Sequence, residues 1–192
     1  MQRDKHITKI RDFIKSTPVF SSKDIERIIK DRNYAHLILS KLTKKEKIFR
    51  LTKGFYSTFN DPTFSVFCFK PSYLGLYEAL SLRNLWEQEV NTTIITIKKV
   101  RTGVRKILGT NVIIKRIKPE YFFGFDYIKY GNFYIPVSDL EKTLIDLVYF
   151  KEPLTWQILR NLKNKIDKKK MLKYLKSYHK NFQKLALDKI KI

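Results

Sequence analysis

Apolar residues in the opening stretch of the chain recur at helical spacing. Ile7, Ile10, Phe13 and Ile14 predict an amphipathic helix over about Asp4–Lys15. Thr17-Pro18 ends it, because a residue before proline avoids helical geometry. Ser21 or Ser22 can cap a second helix whose positive end suits Asp24 and Glu26. Ile25, Ile28 and Ile29 give that helix one apolar face. Asp31-Arg32-Asn33 is expected as a turn, and Ala35, Ile38, Leu39 and Leu42 as the buried stripe of a third helix. The period then changes: Ile48–Leu51 and Phe55–Ser57 read as strands joined by Thr52-Lys53-Gly54.

Asn60-Asp61-Pro62 reads as a linker and is the expected domain boundary. Two domains are expected, over residues 1–58 and 64–192. Phe64–Phe69 is aromatic and β-prone, and Pro71-Ser72 is expected to precede a helix over about Tyr73–Leu85. Thr92–Lys98 and Val112–Ile117 read as strands. Lys129–Asn132 is a hairpin turn between Tyr127-Ile128 and Phe133–Val137. Ser138 and Glu141 fit a capping box for a helix reaching about Tyr149. Pro153 is expected to begin another helix, and helical periodicity continues through Met171, Leu175, Tyr178, Phe182 and Leu185. The fold class expected is α+β: a winged helix-turn-helix, then a larger mixed α+β domain ending in helices.

Charge adds a partner to this outline. The chain has 192 residues and a formal net charge of +22. Residues 1–57 carry 15 Lys+Arg against 6 Asp+Glu, residues 161–192 carry 11 against 2, and the middle is close to balanced. Charge of this kind attracts phosphate backbones. Within a winged helix-turn-helix the third helix is the groove reader. Its buried stripe leaves Asn33, His36, Leu37, Ser40 and Lys41 outward. Asn can bond adenine twice, His can donate or accept, and Leu37 suits a thymine methyl. Arg32, Lys44 and Lys45 flank the helix, Arg50 and Lys53 lie on the hairpin, and Ser22 and Tyr34 complete the expected DNA-binding set. A homodimer is compatible with this reading, although no heptad seam is visible.

Other chemistry is thinly represented. His6, His36 and His179 are far apart in sequence, and Cys68 is the one cysteine, expected as a small buried hydrophobe. The glycines are isolated, so no phosphate loop is present. No cofactor or metal is expected, and no catalysis. The alternative enzyme reading is a magnesium-dependent nuclease using Glu87, Glu89, Asp126, Asp139 or Asp146. The bland account has these acids starting or ending helices, with Asp146 paired to a nearby Lys. A further alternative is an interaction or dimerisation module with Phe64–Phe69 and Tyr121–Tyr127 as its surface, although core of the second domain is the simpler role for both. No stretch approaches the roughly 18 apolar residues of a membrane span, so no membrane partner is expected. The charged start MQRDKHITKI lacks the apolar region of a secretory signal, so the expected location is the cytoplasm.

Three segments in order carry a family resemblance: KEKIFRLTKGFYS, PSYLGLYEALSLRNL and VSDLEKTLIDLVYF. They resemble the AbiEi-like antitoxin and transcriptional-regulator family of the abortive-infection type IV toxin–antitoxin systems. The resemblance implies a sequence-specific duplex-DNA repressor, one that can autoregulate an operon shared with a nucleotidyltransferase-like toxin. It carries DNA contacts onto Asn33, Tyr34, His36, Leu37, Ser40 and Lys41, with Arg50 and Lys53 on the wing. The basic tail from Lys163 onward departs from the family pattern.

Overall fold

The computed structural model describes residues 2–162 and 164–190, with side chains described from Thr8 onward except that of Asn161. The chain is mixed α+β and divides into two compact units. The first comprises Met1–Lys70 with Lys106–Asn111, and the second comprises Pro71–Arg105 with Val112–Ile192. The first unit therefore runs on to Lys70, past the expected linker at Asn60-Asp61-Pro62.

In the first unit, α1 (Gln2–Ser16) leads into a short strand β1 (Val19–Ser21), then α2 (Ser22–Ile29) and α3 (Arg32–Lys44). Strands β2 (Phe49–Thr52) and β3 (Phe55–Ser57) follow. All three strands form one antiparallel sheet in the order β1-β3-β2. β1 has no hydrophobic alternation of its own and was not expected; it pairs Phe20 with Tyr56. Of the two candidate caps, Ser21 is the one that caps α2, and it exchanges bonds with Asp24 in a capping box. Lys30 ends α2 in the left-handed region at φ 59°. Asp31 then caps α3 by accepting from the Tyr34 N–H. Arg32 and Asn33 are thus the first turn of α3 rather than loop. The core is Ile10, Phe20, Ile25, Ile29, Ala35, Leu39 and Ile48.

Pro62–Phe69 is a 3-10 helix in this unit, not a strand of the next. Asp61 caps it and proline sits in its first turn, a strong start signal that overrides the β propensity of its aromatics. Cys68 is buried, as expected of a small hydrophobe.

A six-stranded mixed sheet runs in the order β6-β7-β5-β4-β9-β8, and all of it belongs to the second unit except the residues of β6 and β7 within Lys106–Asn111. Its strands are β4 (Ser72–Leu74), β5 (Thr92–Thr96), β6 (Gly103–Ile107), β7 (Thr110–Arg116), β8 (Phe125–Tyr130) and β9 (Phe133–Ser138). β4 runs antiparallel to β5 and parallel to β9, while β5 runs parallel to β7. The expected helix over Tyr73–Leu85 is split: Ser72–Leu74 is a buried strand, and α4 covers only Leu76–Leu82. Gly75 stands at the break, in extended conformation as the N-cap residue of α4. The β8–β9 hairpin forms where expected, with both strands longer than read and a turn at Gly131-Asn132.

The helices α5 (Leu140–Tyr149), α6 (Trp156–Leu162), α7 (Lys168–Leu175) and α8 (Lys180–Ile190) follow. Pro153 lies before α6 rather than at its start. Leu144, Ile145, Leu147, Met171, Leu175, Ala186 and Ile190 join Tyr73, Leu76 and Leu80 in one core. Tyr121 is buried in it and Phe122, Phe123 and Phe125 pack against it, so the run is core as far as Phe125, while Tyr127 at its end is exposed. Phe64–Phe69 belongs to the other unit instead.

Candidate nucleic-acid interface

The α3 stripe divides as its period requires. Ala35 and Leu39 are fully buried, and Ile38 and Leu42 are half-buried against the same core. Asn33, His36, Leu37, Ser40 and Lys41 are exposed, together with Arg32, Lys44 and Lys45. Leu37 is a large apolar side chain that is 48% exposed. The Arg32, Lys41, Lys44, Lys45, Arg50 and Lys53 side chains make no ion pair among the described residues. A basic helix face with no carboxylate partners keeps its charge available to an outside anion.

Two of the expected contacts sit differently. Tyr34 is half-buried against the core, so it supports α3 rather than leading its outer face. His36 Nε2 lies 3.5 Å from Glu26 Oε1 on α2, so one ring nitrogen already faces a carboxylate. Sequence spacing within one helix carried no sign of that cross-helix pair. Ser22 is half-buried, and its backbone N–H donates to the Gly54 carbonyl at 2.9 Å. That bond ties the start of α2 to the β2–β3 turn. Gly54 has φ +78°, which an L side chain rarely adopts, so glycine suits the tight turn that displays Lys53. Arg50 is exposed on β2 and Leu51 beside it is buried, as strand alternation dictates.

The acids singled out for nuclease chemistry are dispersed within the second unit. Asp146 is fully buried and binds the equally buried Lys142 one helical turn earlier. Tyr73 Oη donates to the other Asp146 oxygen at 2.7 Å. The Lys142 ammonium also lies 3.2 Å from Tyr178 Oη and within 6 Å of the Tyr73, Phe123 and Tyr178 rings. Burial pushes the Lys142 amine down and the Asp146 carboxyl up, and each charge opposes the other's shift.

Asp139, not Ser138, caps α5. Ser138 Oγ shares a hydrogen with Thr143 Oγ1, and Glu141 accepts from the Asp167 N–H, so the expected capping box does not form. Lys170 spans Asp139 and Glu141 at 3.0 and 3.1 Å. Burial works against its charge, but those two carboxylates outweigh it and raise its pKa. Asp126 is exposed near Arg83, and Glu87 and Glu89 lie in the loop after α4 rather than at its end. Among the described residues no group of three or more His, Cys, Asp or Glu is placed to hold a metal ion. His6 and Lys163 lie outside the residues whose side chains are described.

No helix among the described residues is long and apolar enough to cross a membrane. Compared with known protein families and with curated proteins, the sequence matches none.

Proposed function

We propose that the first unit is a winged helix-turn-helix that binds duplex DNA, with α3 in the major groove and the β2–β3 hairpin as its wing. One observation carries this reading: the solvent face of α3 presents Asn33, His36, Leu37 and Ser40 between unpaired cations, while the opposite face is locked into the core. Base-edge donors and acceptors on a rigid helix, flanked by phosphate-neutralising charge, are what groove reading requires. β1 supports the reading by giving the hairpin a third strand to stand on. The resemblance to AbiEi-like antitoxins extends the proposal to a repressor, encoded beside a nucleotidyltransferase-like toxin in the cytoplasm, with the second unit carrying antitoxicity.

Binding of a labelled promoter fragment across a salt series tests it. Log affinity is expected to fall linearly with log salt, by about 0.9 per phosphate neutralised. Asn33→Ala and His36→Ala are expected to cost roughly 1–3 kcal/mol on the operator and little on random duplex. Lys53→Ala is expected to weaken both alike and to lower the salt slope by about one. A flat salt response, or equal losses on both duplexes for all three variants, overturns the reading.

A further inference from the structure

A second site lies on the same unit, in the groove between the C-terminal halves of α1 and α3. Ile10 and Ile14 wall it on one side and Ile38 and Leu42 on the other, enclosing about 560 Å³. Small-molecule sites fall at roughly 300–1,000 Å³ and are mostly apolar. The helices do not close over this apolar surface, since Ile14, Ile38 and Leu42 are only half-buried. Around the groove stand Arg11, Lys15, Lys41, Lys45 and Lys47, all exposed. No Asp or Glu lines it among the described residues.

Thr58 also lines the groove, and an apolar cleft whose charged neighbours are all cations matches a molecule with the reverse layout, an apolar body and one anionic head. A nucleic-acid backbone satisfies the ring and leaves the cleft empty, and a neutral hydrophobe does the opposite. We propose that this groove binds a single-chain anionic amphiphile of the fatty carboxylate class. The chain lies against Ile10, Ile14, Ile38 and Leu42, and the carboxylate sits among the surrounding cations. Lys41 on the outer face of α3 and Lys45 at its C-cap belong both to this ring and to the expected DNA-binding set, so the ligand competes with duplex. That competition rests on the DNA reading of α3; the binding itself does not.

The full chain is titrated calorimetrically with decanoate below its micellar concentration, beside decanol and acetate. One decanoate per chain is expected, with decanol about tenfold weaker for want of the charge-assisted bonds, and no heat from acetate. Lys45→Gln should weaken decanoate and leave decanol unchanged, whereas Lys129→Gln, an exposed cation of the second unit, should alter neither. Ile14→Asn should weaken both ligands. Ile14→Trp, which fills the cleft without adding polarity, should exclude both and guards against a folding defect in the first variant.

Acetate binding as well as decanoate, many ligands per chain, or equal losses in Lys45→Gln and Lys129→Gln would show general attraction to positive charge and overturn the site. So would a dimer that Ile14→Asn dissociates while decanoate gives no heat, since the groove would then be a self-association face. In a duplex titration, decanoate should raise the apparent Kd, and duplex should weaken decanoate by the same factor. Decanoate bound with no duplex affinity in any salt would sink the DNA reading and leave the groove standing. Duplex bound unchanged beside saturating decanoate would overturn the shared use of Lys41 and Lys45.

Discussion

At the scale of single residues, the most consequential side chain outside α3 is Lys142. It is fully buried, and its charge is answered by Asp146, by Tyr178 Oη and by three aromatic rings. Lys142→Met removes the cation and strands a buried carboxylate with only Tyr73 to satisfy it. The expected loss is about 3–5 kcal/mol in denaturant unfolding. Lys142→Met with Asp146→Leu should cost less than Lys142→Met alone, because no charge is then left unpaired. The pairing itself was legible, as Lys142 and Asp146 stand four apart on a helix. Its burial was not, because the residues that enclose it come from Tyr73, Phe123 and Tyr178, far away in sequence. Gly124 shows the same dependence: with φ +70°, a Cβ on it would lie 2.9 Å from Lys142 Cβ and from Tyr174.

At the scale of elements, caps decide where helices begin. Asp31 is exposed, and its carboxylate accepts from the Tyr34 N–H at 3.0 Å. Asp31→Ala should lower the stability of the first unit by about 1 kcal/mol. It also removes a negative charge beside Arg32, so affinity for random duplex should hold or rise as thermal stability falls. Measuring both on one variant separates the cap from the charge. The stripes of α1, α2 and α3 were readable because each buries one face at helical period, whereas α5, buried all round over residues 141–148, was readable from its apolar residues. The hairpins at Gly54 and Gly131 were readable from their turns. β1, β4 and β6 were not. β1 and β4 have three residues each, too few to show a period, and β4 is buried throughout, so it shows no alternation. Gly103–Ile107 has its burial at one end only, which resembles a polar loop. Pro62–Phe69 failed for another reason, since propensity pointed to strand while the Asp61 cap and Pro62 set a helical turn.

At the scale of the molecule, the second unit is sensitive to base. Burial and then the hydrogen bond to Asp139 push the Tyr174 phenol up to about 12. Burial, followed by the charge of Asp146, raises Tyr73 and Tyr178 as well. An unfolded tyrosine titrates near ~10. The folded chain therefore keeps protons that the unfolded chain releases. This stabilisation is fully present below about pH 10 and is lost as pH rises through about 12. Tyrosinate absorbance read alongside circular dichroism should show Tyr73, Tyr174 and Tyr178 ionising only as structure is lost. A single smooth titration with structure intact at its end would contradict the burial of these phenols.

The parallel pairing of Leu74 with Val137 has a consequence in time. A ribosome delivers β4 long before β9 exists, and β4 sits inside the sheet between β5 and β9. Until Val137 emerges, one side of β4 has no partner, and loop closure over that distance must precede any reward from pairing. The helices and hairpin of residues 2–57 have a shorter wait, because their partners lie closer along the chain. Synthesis thus passes through an interval in which the leading part of the chain can be native while the apolar Tyr73-Leu74 strand is still open to wrong partners. In that interval the nascent chain is most exposed to aggregation and most in need of a chaperone.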